Sequence, residues 1–255
     1  MTTVIARASE SQHWYTQEGK PQYTVVAKNG NQRPTTLRDA RTMNLYPSVT
    51  TILGVAAKPG LEAWKLNQMM MACMTLPKLT DESEEAYIDR IKTDSKEHAR
   101  MAAERGTTIH GALESFYEGI MLSDFLDYQM GVSNAIDAHF GVKNWLTERS
   151  FAHLGFGGKC DLYTTDGDGV VIDFKTKEFK EGDKVEGYDE HLMQLSAYRH
   201  GLEVPKARCA NVFVSVTHPG LVKIVEWSEE ELVKGWQMFE HLKSFWQLKN
   251  NYKAT

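Results

Sequence analysis

No stretch of the chain approaches the roughly 18 consecutive apolar residues that a membrane-spanning helix needs. Cysteine is scarce and odd in number: Cys73, Cys160 and Cys209 lie far apart, with no C-x-x-C pair. That pattern argues against a disulfide framework and against a four-cysteine zinc or iron–sulfur site. Positive charge is not in excess, with 29 Lys and Arg against 34 Asp and Glu and a net charge of −5. Such a balance does not suit a protein that holds nucleic acid by charge alone. It leaves room for a local basic groove, and a site built from carboxylates adds negative charge of its own. Residues 1–12 are polar, without the hydrophobic stretch of a signal peptide. There is no internal repeat and no Gly-x-x-x-x-Gly-Lys-Ser/Thr phosphate loop, so no nucleotide-driven motor is expected in these 255 residues. These absences predict a soluble protein of the reducing cytoplasm with no membrane partner.

What is present suits one folded domain with elaborations. The chain has 255 residues, 42% of them hydrophobic, enough for one sizeable core. Residues 1–45 read as a strand-and-turn extension, with Tyr23–Ala27 a strand and Lys28-Asn29-Gly30-Asn31 its turn. Residues 46–147 read as helical. Ser48 or Thr50 can cap a short helix, Lys58-Pro59-Gly60 breaks it, and a second helix covers Leu61–Thr75. Ser83 starts a long helix-rich stretch, which Gly106 is expected to divide, and Asp124–Trp145 is helical again. Residues 148–249 read as an α/β core. Strand-like Glu148–Tyr163 precedes a turn at Asp166–Gly169 and a strand from Val170 to Lys175. A charged loop, Lys177–Glu186, leads to a helix at Tyr188–Gly201. Strands at Asn211–Thr217 and Leu221–Trp227 follow, and a last helix is capped by Ser228 and Glu231.

The chemistry begins on the short strand. Side chains alternate along it, so Val171, Asp173 and Lys175 share one face and Ile172 and Phe174 the other. An acid beside a lysine on an apolar strand is either an ion pair or part of a metal site. Asp161 ends the run Gly157-Gly158-Lys159-Cys160-Asp161, and the turn between the strands brings it near Asp173. Two carboxylates on one face repel unless a cation lies between them, and oxygen ligands suit Mg²⁺ or Mn²⁺. Gly157 and Gly158 leave room for a backbone or substrate. Upstream, His110 and Glu114 stand four apart on one helical face, as do Gln194 and Tyr198 downstream. Each of these pairs is equally compatible with an ordinary amphipathic helix.

Taken in order, Gly106–His110, Gly158–Asp161, Asp173–Lys175 and Gln194–Tyr198 resemble the motifs of the PD-(D/E)XK nuclease superfamily in its RecB-like branch, over roughly residues 105–200. Pro47-Ser48-Val49-Thr50 and the helix carrying Trp64 are also similar to phage-encoded members and to the mitochondrial genome maintenance exonuclease. The resemblance implies a single PD-(D/E)XK nuclease domain over residues 1–255, with a restriction-endonuclease-like core: a central mixed sheet flanked by helices, after an N-terminal helical region. It implies Asp161, Asp173 and Lys175 as catalytic residues, and His110, Asp161, Asp173 and the Phe174 carbonyl as ligands of Mg²⁺ or Mn²⁺. Gln194, Tyr198, Glu114, Glu148, Ser48, Arg105 and Lys177 would support the site or the DNA. The iron–sulfur cluster of some branch members is not expected, because its cysteines are lacking.

The activity so implied is a DNA exonuclease acting on single-stranded ends, in phage or recombination and repair processing. Recombination or replication proteins would be partners, and the host-cell cytoplasm the location of a phage-encoded chain. The alternatives are a structure-specific endonuclease and a non-catalytic DNA-end-binding module. Lys58, Lys65, Arg90, Lys92, Lys96, Arg100 and Arg105 would line a channel, with Trp64 or Tyr87 stacking on bases. The interleaved acids equally describe a solvated face.

Overall fold

The computed structural model describes residues 13–254. The polar residues 1–12, read above as unlike a signal peptide, lie outside them. Among the described residues, no helix is long and apolar enough to cross a membrane. They form two compact units: residues 57–109, and residues 13–56 together with 110–254.

Short elements open the chain: β1 (Trp14–Tyr15), β2 (Thr24–Val26), β3 (Gln32–Pro34), α1 (Leu37–Met43), β4 (Tyr46–Pro47) and α2 (Val49–Leu53). β1 pairs with β4 and β2 with β3, both antiparallel. Helix α1 is absent from the sequence reading, although Thr36 and Asp39 form the capping box that starts it. Ser48 caps α2 as expected, accepting from the Thr51 amide at 2.9 Å.

The unit of residues 57–109 holds α3 (Pro59–Thr75) and most of α4 (Glu84–Tyr117). Pro59 does not break a helix; it occupies the first turn of α3, where its missing N–H costs nothing. Ser83 starts α4, accepting from the Ala86 amide. Gly106 does not divide α4, which runs unbroken for 34 residues. One interior glycine costs only about 1 kcal/mol relative to alanine, less than its helical neighbours supply. Tyr87 donates to the Leu76 carbonyl at 2.9 Å, and Arg90 holds Glu82 by two bonds while donating to Pro77 O. Lys65 pairs with Glu62, Lys92 with Asp89, and Arg100 with Glu97 and Glu104. Along this unit these cations face acids of their own helix or the loop before it, as on a solvated face.

The other unit is a mixed α/β fold. Helix α5 (Leu126–Phe140) is followed by β5 (Leu146–His153), β6 (Phe156–Thr164), β7 (Val170–Lys177), α6 (Asp189–Gly201), β8 (Arg208–Ser215), β9 (Val222–Trp227) and α7 (Glu229–Lys249). α5 stops short of Trp145, because Gly141 takes a left-handed φ of 78° after it. The five strands form one sheet in the order β5-β6-β7-β8-β9, antiparallel except for the parallel pair β7–β8. α6 makes the crossover that a parallel pair requires. It packs on β5 to β8, α5 packs on β8 and β9, and α7 packs on α6. The sheet is therefore flanked by helices.

Val170, Val171 and Ile172 are β-branched and fully buried, which suits a central strand. Gly169, at φ 85°, closes the turn before them. The core joins Trp14, Leu45, Val49 and Ile52 of the opening elements to Phe156, Leu195, Phe239 and Trp246.

Candidate functional site

The hairpin register places the two carboxylates side by side. β6 and β7 pair through Thr164↔Val170, Tyr163↔Val171 and Leu162↔Ile172. The next step would set Asp161 against Asp173, and there the ladder opens. Asp161 Oδ2 instead accepts from the Phe174 amide at 2.8 Å. A side chain thus takes the bond that the neighbouring strand would have supplied.

The same row extends across the sheet. Glu148 falls opposite Asp161, between the pairs Thr147↔Leu162 and Arg149↔Cys160. Its φ of 52° is left-handed, which is costly for a residue other than glycine. On the far side Asp173 pairs with Asn211 of β8. Glu148, Asp161, Asp173 and Asn211 therefore lie abreast on four strands.

A cavity of about 10 Å³ lies at the opening, lined by His110, Glu114, Glu148, Asp161 and Phe174. That is room for about one water or ion. His110 Nδ1 stands 3.8 Å from Asp161 Oδ2, and its ring meets the Phe174 ring edge-on at 6.1 Å. Glu148 pairs with Lys159.

Asp173 is 2% exposed and bound on both oxygens. Lys175 Nζ lies 3.0 Å from Oδ1 and 2.8 Å from Oδ2, and Asn211 Nδ2 donates to Oδ2 at 2.8 Å. Lys175 also donates to Gln194 Oε1 at 3.0 Å, and Gln194 Nε2 donates to Tyr198 OH at 2.9 Å. The Lys175 side chain remains 26% exposed, while that of Asp173 is 3% exposed. Burial pushes the Asp173 carboxyl up to about 6; Lys175 pulls it down and Asp161 pushes it further up. Burial, with Asp173 and Asp161 adding to it, likewise raises the Tyr198 phenol, which stays protonated.

The structure thus gathers His110, Glu114, Glu148, Asp161, Asp173, Phe174, Lys175, Gln194 and Tyr198. Three residues of the sequence reading stand differently. Ser48 is buried as the cap of α2, bridged to Gly157. Lys177 lies two residues beyond Lys175, its Nζ 5.7 Å from the centre of the Tyr188 ring. Arg105 is exposed on α4 in the unit of residues 57–109. Gly157 and Gly158 do not leave room for a substrate. A Cβ at Gly157 would meet Tyr15 at 2.6 Å, and one at Gly158 would meet Phe151 at 2.6 Å and Tyr198 at 3.0 Å. Their space is filled by the protein's own rings.

Asn211 and Trp227 were not read from the sequence as part of the site. Trp227 Nε1 donates to Asn211 Oδ1 at 2.8 Å. The available signal was an asparagine within the apolar run Asn211–Val214, a residue type depleted in strands.

Among the described residues, no three His, Cys, Asp or Glu side chains are gathered as a metal cluster. The carboxylates are turned instead to Lys175, Asn211, Lys159 and the Phe174 amide. The donor types nevertheless fit a small hard cation: His110, Glu114, Glu148, Asp161 and Phe174 line an ion-sized cavity, and Asp173 stands beside Asp161 without lining it. Chemically, the arrangement sets carboxylates and an imidazole around one small cavity, with a lysine nearby whose ammonium is bonded to Gln194.

No known family model matches the sequence, and no curated protein matches it at a significant level. Among solved structures, the chain is similar to the crystal structure of SSO0001, at 15% identity over 71% of this chain and 86% of that one, with a TM-score of 0.30. A likeness of that degree supports neither a fold family nor an activity.

Proposed function

We propose that this chain is a metal-dependent deoxyribonuclease that hydrolyses phosphodiester bonds, a RecB-like member of the PD-(D/E)XK superfamily with a restriction-endonuclease-like core. One observation carries the reading: Asp161 and Asp173 stand side by side where the β6–β7 ladder opens, with Lys175 two residues on and an ion-sized cavity lined by Asp161 next to them. A structural ion pair alone accounts for Asp173 and Lys175. It does not account for a second carboxylate placed to repel the first.

His110, Asp161, Asp173 and the Phe174 carbonyl would hold Mg²⁺ or Mn²⁺. Such a cation supplies Lewis acidity toward a phosphoryl oxygen and a more acidic bound water. The protein's own part is positioning and charge. Lys175, on a partly exposed side chain, would steady an attacking water or the charge growing on phosphorus. Gln194, braced by Tyr198, holds the lysine in line with Asp173. Glu148 and Glu114 line the cavity and add negative charge for the cation. The substrate we favour is single-stranded DNA taken from an end, as in phage or recombination processing.

The test is cleavage of linear and circular single-stranded DNA by purified protein in Mn²⁺, with an EDTA control. Linear DNA is expected to be degraded, circular DNA spared, and Lys175→Ala to be inactive while still folded, with a lowered melting temperature because Asp173 loses its buried partner. Cutting of circles would make the enzyme an endonuclease. Metal-independent binding without cleavage would make it a DNA-end-binding module, and full activity in Lys175→Ala would sink the mechanism.

A further inference from the structure

We propose that Asn211, itself fixed by Trp227, is a positioning residue that sets the Asp173 carboxylate for cation binding; this rests on the cation-site reading above. Asn211 is fully buried in β8, directly beside Asp173, between the buried residues Ala210 and Val212. A primary amide in such a place is costly unless both of its ends are bonded. Both are: Nδ2 to Asp173 Oδ2 at 2.8 Å and Oδ1 to Trp227 Nε1 at 2.8 Å.

The indole decides which way the amide points. A tryptophan N–H can only donate, so it requires the oxygen of Asn211 on its own side. The NH₂ end is thereby turned to the carboxylate, and the flipped amide would set an oxygen against an anion. The indole packs over Gly187, where a Cβ would come within 2.4 Å of Trp227 Cζ2. The resulting relay runs Trp227 to Asn211 to Asp173, with Lys175 closing it from the other side. Asp173 therefore has its carboxylate held from two directions, by Lys175 and by Asn211. Partners of this kind, behind a metal ligand, typically govern affinity about 10- to 100-fold.

The measurement is the dissociation constant for Mn²⁺ without DNA, read by electron paramagnetic resonance of the free ion, alongside the melting temperature. Asn211→Ala is expected to weaken Mn²⁺ about 10- to 100-fold. Trp227→Phe, which keeps the ring and loses only the N–H, is expected to weaken it by less. In the Asn211→Ala background, Trp227→Phe should add nothing, because its effect passes through the amide. A Trp227→Phe protein that melts like the wild type and binds Mn²⁺ equally well overturns the inference, as does additivity in the double variant. Asp161→Asn separates the two readings. Mn²⁺ binding lost in Asp161→Asn but indifferent to Asn211 and Trp227 overturns this inference alone. No Mn²⁺ binding by the wild type removes the cation site and this inference together.

Discussion

Asp173 should make the protein less stable as pH rises toward neutrality in the absence of divalent cations. Its carboxyl is pushed up to about 6, chiefly by burial. In the unfolded chain an aspartate titrates near about 3.9. Between those values the folded protein holds a proton that the unfolded chain has released. The stability contributed by this group is full below about pH 4 and is lost as pH rises through about 6. A gap of about two pKa units at about 1.4 kcal/mol each gives a loss of about 3 kcal/mol. Asp173→Asn cannot ionise and keeps nearly the same shape, so other titrating groups cancel when the two proteins are compared. Urea unfolding in EDTA at intervals from pH 4 to 8 measures the difference. Relative to Asp173→Asn, the wild type should lose about 3 kcal/mol across that range, most of it between pH 4 and 7. Mn²⁺ should restore much of the loss to the wild type and little to the variant. A difference that stays constant with pH would refute the argument that burial outweighs the help of Lys175 and His110.

Two further outcomes follow from packing. Gly131 lies in α5 against the turn before β9, where a Cβ would sit 2.5 Å from both Cα and O of Gly220. Gly131→Ala should therefore lower stability by about 1 to 3 kcal/mol, although helix propensity alone predicts a gain of about 1 kcal/mol; a raised melting temperature would contradict this. Of the three thiols, Cys73 is exposed and Cys160 and Cys209 are buried, the Cys209 thiol pushed up to about 12. A thiol reagent should label Cys73 alone in the native protein and all three in urea, as read by mass spectrometry of the labelled peptides.

The parts of the site carried by local sequence were legible before the structure. The turn at Asp166–Gly169 fixes the β6–β7 register, so Asp161 against Asp173 follows from counting. Helical spacing alone joins His110 to Glu114 and Gln194 to Tyr198. Asn211 was not legible, because its place beside Asp173 depends on a parallel pairing across α6, and no local pattern sets that register. Trp227 was hidden for the same reason, at one further strand's remove. Gly157 and Gly158 misled because a missing side chain looks alike whether a ligand or a ring fills the space; Tyr15, Phe151 and Tyr198 arrive from distant parts of the chain. Gly106 misled because propensity is a local cost that a long helix absorbs.

The left-handed turn of the backbone at Glu148 has a second effect, on self-association. Among the described residues β5 is an outer strand of the sheet, and the unpaired side of an outer strand is a row of backbone donors and acceptors that another chain can extend. A residue at φ 52° breaks the regular alternation of that row near its start. An incoming strand would lose its hydrogen-bonding phase at Glu148. The distortion that turns an acid toward the cavity also blunts the sheet against stacking into aggregates.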